Sequence, residues 1–135
     1  MSSTNNSAAA VQPEPVESPD SPEQVRLAVA AARSRKAEEL KVLKLAAVSD
    51  FTDYFLICNG TNDRQVRAIA DIIIERLREE RVRALHVEGY NHGHWILLDY
   101  GGDMVIHIFL DETRQFYGLE RLWADAPDVT AEFSV

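Results

Sequence analysis

The side chains best able to do chemistry crowd between Glu88 and Trp123. There the chain reads Glu-Gly-Tyr-Asn-His92-Gly-His94-Trp95, then Asp99, Asp103 and His107, then Arg114-Gln-Phe-Tyr117-Gly-Leu-Glu120. Three imidazoles with Glu88 or Asp99 could converge on a metal ion. His92 and His94 straddle Gly93 in a loop, however, and no fourth ligand stands out, so no metal is expected. His107 reads instead as an imidazole hydrogen-bonded within a sheet. Cys58 is the only cysteine. It lies in an apolar run with no base beside it, which describes a small core residue and not an activated nucleophile. Asn59-Gly60-Thr61, ahead of a helix, could hold a phosphate at the helix N-terminus. It lacks both G-x-G-x-x-G and the Walker lysine. Nucleotidyltransferases add two carboxylates one residue apart to hold their metal ions, and this chain has no such pair. No catalytic residue and no cofactor are therefore expected.

What remains is recognition. Phe109, Phe116 and Trp123 read as core aromatics. Trp95, beside a loop rich in glycine and histidine, has the character of an interface anchor. Its surroundings depend on how a hairpin is registered. Trp95-Ile-Leu-Leu-Asp99 and Met104-Val-Ile-His107-Ile-Phe flank Gly101-Gly102, a hairpin signal. A two-residue loop would put Trp95 and His107 on opposite faces. A three-residue loop, Gly101 to Asp103, pairs Leu97 with His107 and Trp95 with Phe109. Trp95, Asp99 and His107 then share one face, and Ile96, Leu98 and Ile106 share the other. The three-residue loop is preferred because it separates the two chemistries. Asp103 would supply the left-handed conformation such a loop needs.

The elements that hold this hairpin follow from the pattern upstream. Residues 1–20 are rich in Ser, Asn and Pro without apolar periodicity, and read as a disordered tail. Ser21-Pro22-Glu23-Gln24 opens a helix with Ser21 as cap, and Val25, Ala28, Val29 and Ala32 form its small-residue face. Glu39 to Leu45 reads as an edge strand with its lysines outward. Tyr54 to Cys58 reads as a central strand covered on both faces. Asn62 caps a second helix, with a stripe of Val66, Ile69, Ala70, Ile73 and Leu77. Ala84 to Glu88 is a short strand. After the hairpin, Asp111 caps a last helix that Gly118 would bend or break. Residues 125–135 read as a polar tail beyond a domain of 21–124. The fold class is α/β, α+β-like, with a mixed sheet of about five strands and flanking helices.

Composition limits the partners. The net charge is −8. Residues before Glu23 add three acids and no base, so the folded part stays acidic. That disfavours a basic domain gripping nucleic acid through phosphates and suits a basic protein partner. No apolar run approaches membrane-spanning length. The N-terminus has neither the look of a secretory signal nor that of a transit peptide, and a cytoplasmic location is expected.

Phe51-Thr-Asp-Tyr-Phe-Leu-Ile-Cys-Asn-Gly-Thr61, Arg64-Gln-Val-Arg-Ala-Ile-Ala-Asp71, Glu88-Gly, Trp95-Ile-Leu-Leu-Asp-Tyr-Gly, Val105-Ile-His-Ile-Phe and Arg114-Gln-Phe-Tyr-Gly-Leu-Glu-Arg-Leu-Trp123 resemble the Iojap family, the ribosomal silencing factors. The resemblance runs from about Val25 to Trp123. It implies a nucleotidyltransferase-like fold without that activity. It also implies binding to ribosomal protein L-fourteen on the large subunit, a steric block to joining of the small subunit, and so repression of translation or a part in large-subunit maturation. Homodimers are implied as well. The family's sheet-face pattern falls on Trp95, Asp99, His107, Tyr117 and Glu120. The family usually has one glycine before the aspartate of the turn, where this chain has Gly101 and Gly102. The three-residue loop would restore the family's arrangement. A nucleotide-binding or nucleotidyltransferase-type enzyme is the competing expectation.

Overall fold

The structure, a computed structural model, describes residues 19–46, 48, 50–118, 121 and 124–133. Most of the tail read over residues 1–20 falls outside them, as do Leu119, Glu120 and Trp123 and the side chains of Phe116 and Tyr117. The elements run α1 (Ser21–Ser34), β1 (Glu38–Lys44), β2 (Tyr54–Gly60), α2 (Asp63–Glu79), β3 (His86–Glu88), β4 (Trp95–Asp99), β5 (Met104–Leu110), α3 (Asp111–Tyr117) and α4 (Thr130–Phe133). The five strands form one mixed sheet in the order β1-β2-β5-β4-β3. β2 and β5 pair in parallel at its centre, and the other neighbours are antiparallel.

Every residue of β2 is buried, as expected of a strand covered on both faces. Leu56 and Cys58 face the helices; Phe55 and Ile57 face the opposite layer. The α1 face of Val25, Ala28, Val29 and Ala32 is buried, and so is the α2 stripe of Val66, Ile69, Ala70, Ile73 and Leu77. Each fully buried isoleucine or leucine contributes about 1.5–3 kcal/mol to keeping that layer out of water. The α2 cap is as expected: Asn62 Oδ1 accepts from the Gln65 N–H at 2.8 Å. Gly60 has a packing reason. A Cβ there would come within 2.9 Å of Val66 Cγ2 and 3.0 Å of the Val66 nitrogen, so only glycine lets α2 start this close to β2.

Three local expectations are corrected. Asp20, not Ser21, caps α1 and accepts from the Glu23 N–H at 3.0 Å. The Ser21 hydroxyl instead lies 2.6 Å from Asp103 Oδ1 and 2.9 Å from Asp53 Oδ2. With one proton it donates to one of them at a time. Gln24 donates to Asp103 Oδ2 at 3.1 Å. Asp103 thus ties the hairpin turn to α1, and the left-handed residue of the turn is Gly101, at φ 71°. Asp111 begins α3 without a side-chain cap bond, and Gly118 ends that helix in the left-handed conformation.

The expected polar tail at 125–135 is the largest correction. Residues 127–130 run along the outer edge of β1. Lys44 N donates to Pro127 O and Val129 N donates to Val42 O, both at 2.9 Å. Thr130 Oγ1 accepts from Val42 N at 2.9 Å. Ala126, Val129 and Phe133 are buried, and the Phe133 ring meets Tyr54 edge-on at 5.6 Å. An edge strand exposes unpaired N–H and C=O groups, and this segment pairs the N–H groups of Val42 and Lys44 and the Val42 carbonyl.

Candidate functional site

The hairpin register decides what the open side of the sheet presents. Trp95 lies opposite Phe109, Leu97 opposite His107, Leu98 opposite Ile106 and Asp99 opposite Val105. Tyr100 N donates to Met104 O at 2.9 Å, which closes a three-residue loop. Trp95, Asp99 and His107 therefore share one face, as the preferred loop requires. Ile96, Leu98 and Ile106 point into the helix-covered core.

The open face has an aromatic floor. Trp95 stacks on Phe109 with ring centroids 5.0 Å apart, and its indole Nε1 donates to His107 Nδ1 at 3.1 Å. The Phe55 ring meets His107 edge-on at 4.7 Å. His107 is 4 % exposed, so it cannot reach a partner directly. It positions Trp95 from beneath. Because Nδ1 accepts from the indole, the imidazole proton sits on Nε2, which has no partner among the described residues. Burial disfavours the charged ring and pushes the His107 pKa down to about 4. At neutral pH the floor is uncharged.

Trp95, Leu97 and Asp99 are partly exposed. Beside them a groove of about 440 Å³ is lined by Phe51, Leu85, His86, Leu97, Asp99 and Val105, among others. Phe51 is 52 % and Leu85 66 % exposed, an apolar pair that composition alone did not single out. Asp99 Oδ1 accepts from the Gly101 N–H at 2.7 Å, so the carboxylate is oriented by its own turn and its second oxygen remains for a partner. Tyr117 is the last residue of α3; its side chain and Glu120 lie outside the described residues.

Sequence reasoning missed Arg114 as a structural cation. It is 5 % exposed, donates to Asn59 Oδ1 at 2.9 Å and also donates to the Glu39 carbonyl. It ties α3 to β1 and β2 and so sets where the chain leaves the open face. The signal available was an arginine at the fourth position of a short helix that follows a core strand.

The other chemical candidates resolve into structure. Cys58 is buried, and desolvation raises its thiol pKa to about 12, far from a reactive thiolate. The His92 and His94 rings lie 6.3 Å apart. Among the described residues no three His, Cys, Asp or Glu side chains gather as metal ligands, and no helix is long and apolar enough to cross a membrane.

A family model described as ribosomal silencing factor during starvation matches residues 18–134. A ribosomal silencing factor of Halalkalibacterium halodurans is 40 % identical over 110 residues, covering 82 % of this chain and 93 % of the relative. A mouse protein named for mitochondrial assembly of the ribosomal large subunit is 30 % identical over 118 residues, covering 85 % of this chain and 51 % of the relative. The crystal structure of a Chromobacterium violaceum protein superposes with a TM-score of 0.76 at 29 % identity, covering 78 % of this chain and 88 % of that one.

Proposed function

The chain belongs to the family of ribosomal silencing factors during starvation, and on that basis we propose that it binds ribosomal protein L-fourteen on the large subunit and blocks joining of the small subunit. At the coarser level it is a ribosome-associated regulator of the large subunit. The observation that supports the finer reading is the hairpin register: Trp95 and Asp99 stand on one face beside an apolar groove. Trp95 supplies a rigid aromatic anchor, held by Phe109 and His107. Asp99 pairs with a basic group of the partner. By the family resemblance Glu120 would pair with a further basic group and Tyr117 would add a hydrogen bond; His107 acts only through Trp95. A body bound there represses translation by occupying the joining surface.

The test is sedimentation of the full chain with separated ribosomal subunits. The chain is expected to travel with the large subunit alone and to bind isolated L-fourteen. Trp95→Ala should weaken binding by about 2 kcal/mol, roughly thirtyfold in Kd. The variant is compared at a temperature where circular dichroism shows it folded, because the substitution also empties space over Phe109. Asp99→Lys places a like charge against the partner's basic group and should abolish comigration at a temperature where circular dichroism shows it folded, its stability lowered by about 1 kcal/mol for the lost Gly101 hydrogen bond. Unchanged binding would remove Asp99 from the interface. A nucleotidyltransferase-type activity, the competing reading, would appear as magnesium-dependent turnover of nucleoside triphosphates by the wild type and would displace the proposal.

A further inference from the structure

We propose that the arginines at the end of α2 form a second contact with the large subunit, made to the phosphate backbone of its RNA; this rests on the ribosome-binding reading above. Arg78, Arg81 and Arg83 are all exposed. Glu75, Glu79 and Glu80 are interleaved nearby, yet none of the three arginines forms an ion pair among the described residues. An acidic chain with 22 carboxylates against 14 basic residues thus keeps a run of unneutralised guanidinium groups. Guanidinium groups match phosphate oxygens bidentately.

The backbone adds a second observation. α2 ends in a Schellman-type turn, in which Val82 N donates to Leu77 O and Arg81 N donates to Arg78 O, at 2.9 and 2.8 Å. Arg81 fills the left-handed position at φ 66°. Glycine is favoured there because it has no Cβ to strain. The chain keeps an arginine where its backbone would favour glycine.

Position supplies the third. After Arg83 the chain runs alongside the hairpin turn: Leu85 N donates to Asp99 O at 2.7 Å, and a Cβ on Gly101 would lie 3.0 Å from Leu85 Cδ1. Arg78 is close enough to lower the pKa of Tyr100, which burial otherwise raises. Arg83 therefore stands two residues before the groove-lining Leu85 and His86, while Arg78 lies near Tyr100 on the helix side of the sheet. A body that is acidic overall is repelled as it nears a ribosomal subunit, whose surface charge is dominated by phosphate. A local cationic border offsets that repulsion and turns this edge toward RNA. The contact is to backbone and carries no sequence preference. It agrees with an acidic net charge, which excludes a wholly basic domain but not a local patch.

The test measures the affinity of the full chain for purified large subunits across a salt series. Removing one guanidinium from a phosphate should make the dependence of log K on log salt shallower by about one. Arg78→Gln/Arg81→Gln/Arg83→Gln should make it shallower by about two to three and weaken binding at least tenfold near 100 mM salt. The triple lysine variant should keep the slope. Arg81→Gly separates binding from stability: it should melt no lower than wild type and still bind more weakly. If the glutamine variant keeps the wild-type slope while the wild type binds, this inference is overturned and the ribosome-binding reading stands. If the wild type does not bind large subunits, both fall.

Discussion

A chain truncated after Ala124 should lose on the order of 5 kcal/mol or more, and at that cost it should not remain cooperatively folded. Three observations set the size. Phe133 is 4 % exposed, and its ring packs on Tyr54 and beneath the Arg26 guanidinium. Removing a buried phenylalanine side chain alone costs about 3–5 kcal/mol. Ala126 and Val129 add further buried area. Three hydrogen bonds to Val42 and Lys44 disappear with the segment, which leaves the edge of β1 unpaired. Domains of this kind are stable by only about 5–15 kcal/mol. Urea titration of the full and truncated chains measures the difference. A truncated chain with a normal cooperative transition and a midpoint near that of the full chain would show that 125–133 is an accessory to the fold.

Acidification from neutral pH to pH 4 should cost the domain up to about 3 kcal/mol through His107 alone. The unfolded imidazole takes a proton near pH 6.5, and the buried one only near about 4. Between those values the unfolded chain holds more protons. The full contribution is therefore present above pH 6.5 and is lost as pH falls toward 4, by about 1.4 kcal/mol per unit. The upper part of the window is diagnostic, because ordinary carboxylates titrate below it. From pH 6.5 to 5 the expected loss is about 2 kcal/mol. His107→Gln keeps an acceptor for the Trp95 indole but does not titrate, so its stability should vary less over the same interval. Equal slopes for the two proteins would show that His107 does not carry the effect. Because His107 holds Trp95, indole fluorescence of the folded chain should change only near pH 4, where the buried imidazole itself takes a proton.

How far the sequence was legible varies from element to element. The hairpin register could be read because Trp95, Asp99 and His107 alternate with Ile96, Leu98 and Ile106, and one shift of register would have mixed the two sets. Strand β2 was legible because no polar residue interrupts Tyr54 to Cys58. The α2 cap was legible because it is a contact between near neighbours. What failed was nonlocal. Asp20 and Ser21 are both good caps, and only the position of Asp103, far along the chain, draws Ser21 away. His107 lay on the expected face, but its burial depends on Phe55, Trp95 and Phe109 closing around it. The segment Asp125 to Phe133 offers only Val129 and Phe133 as bulky apolar residues. Its stability comes from filling the edge of a strand more than eighty residues earlier, which no local pattern records.

That same closure sets a schedule for synthesis. The bond from Val42 to Thr130 spans 88 residues. At roughly 5–20 residues per second, β1 waits about 4–18 s for the segment that fills its edge. During that interval the edge is a template for any other strand within reach. Lys41 and Lys44 sit on it, and charges of this kind discourage such pairing. A chain expected to act on ribosomes is therefore incomplete while its first strand waits, and its proposed binding face rests on a finished sheet only after residue 130 has arrived.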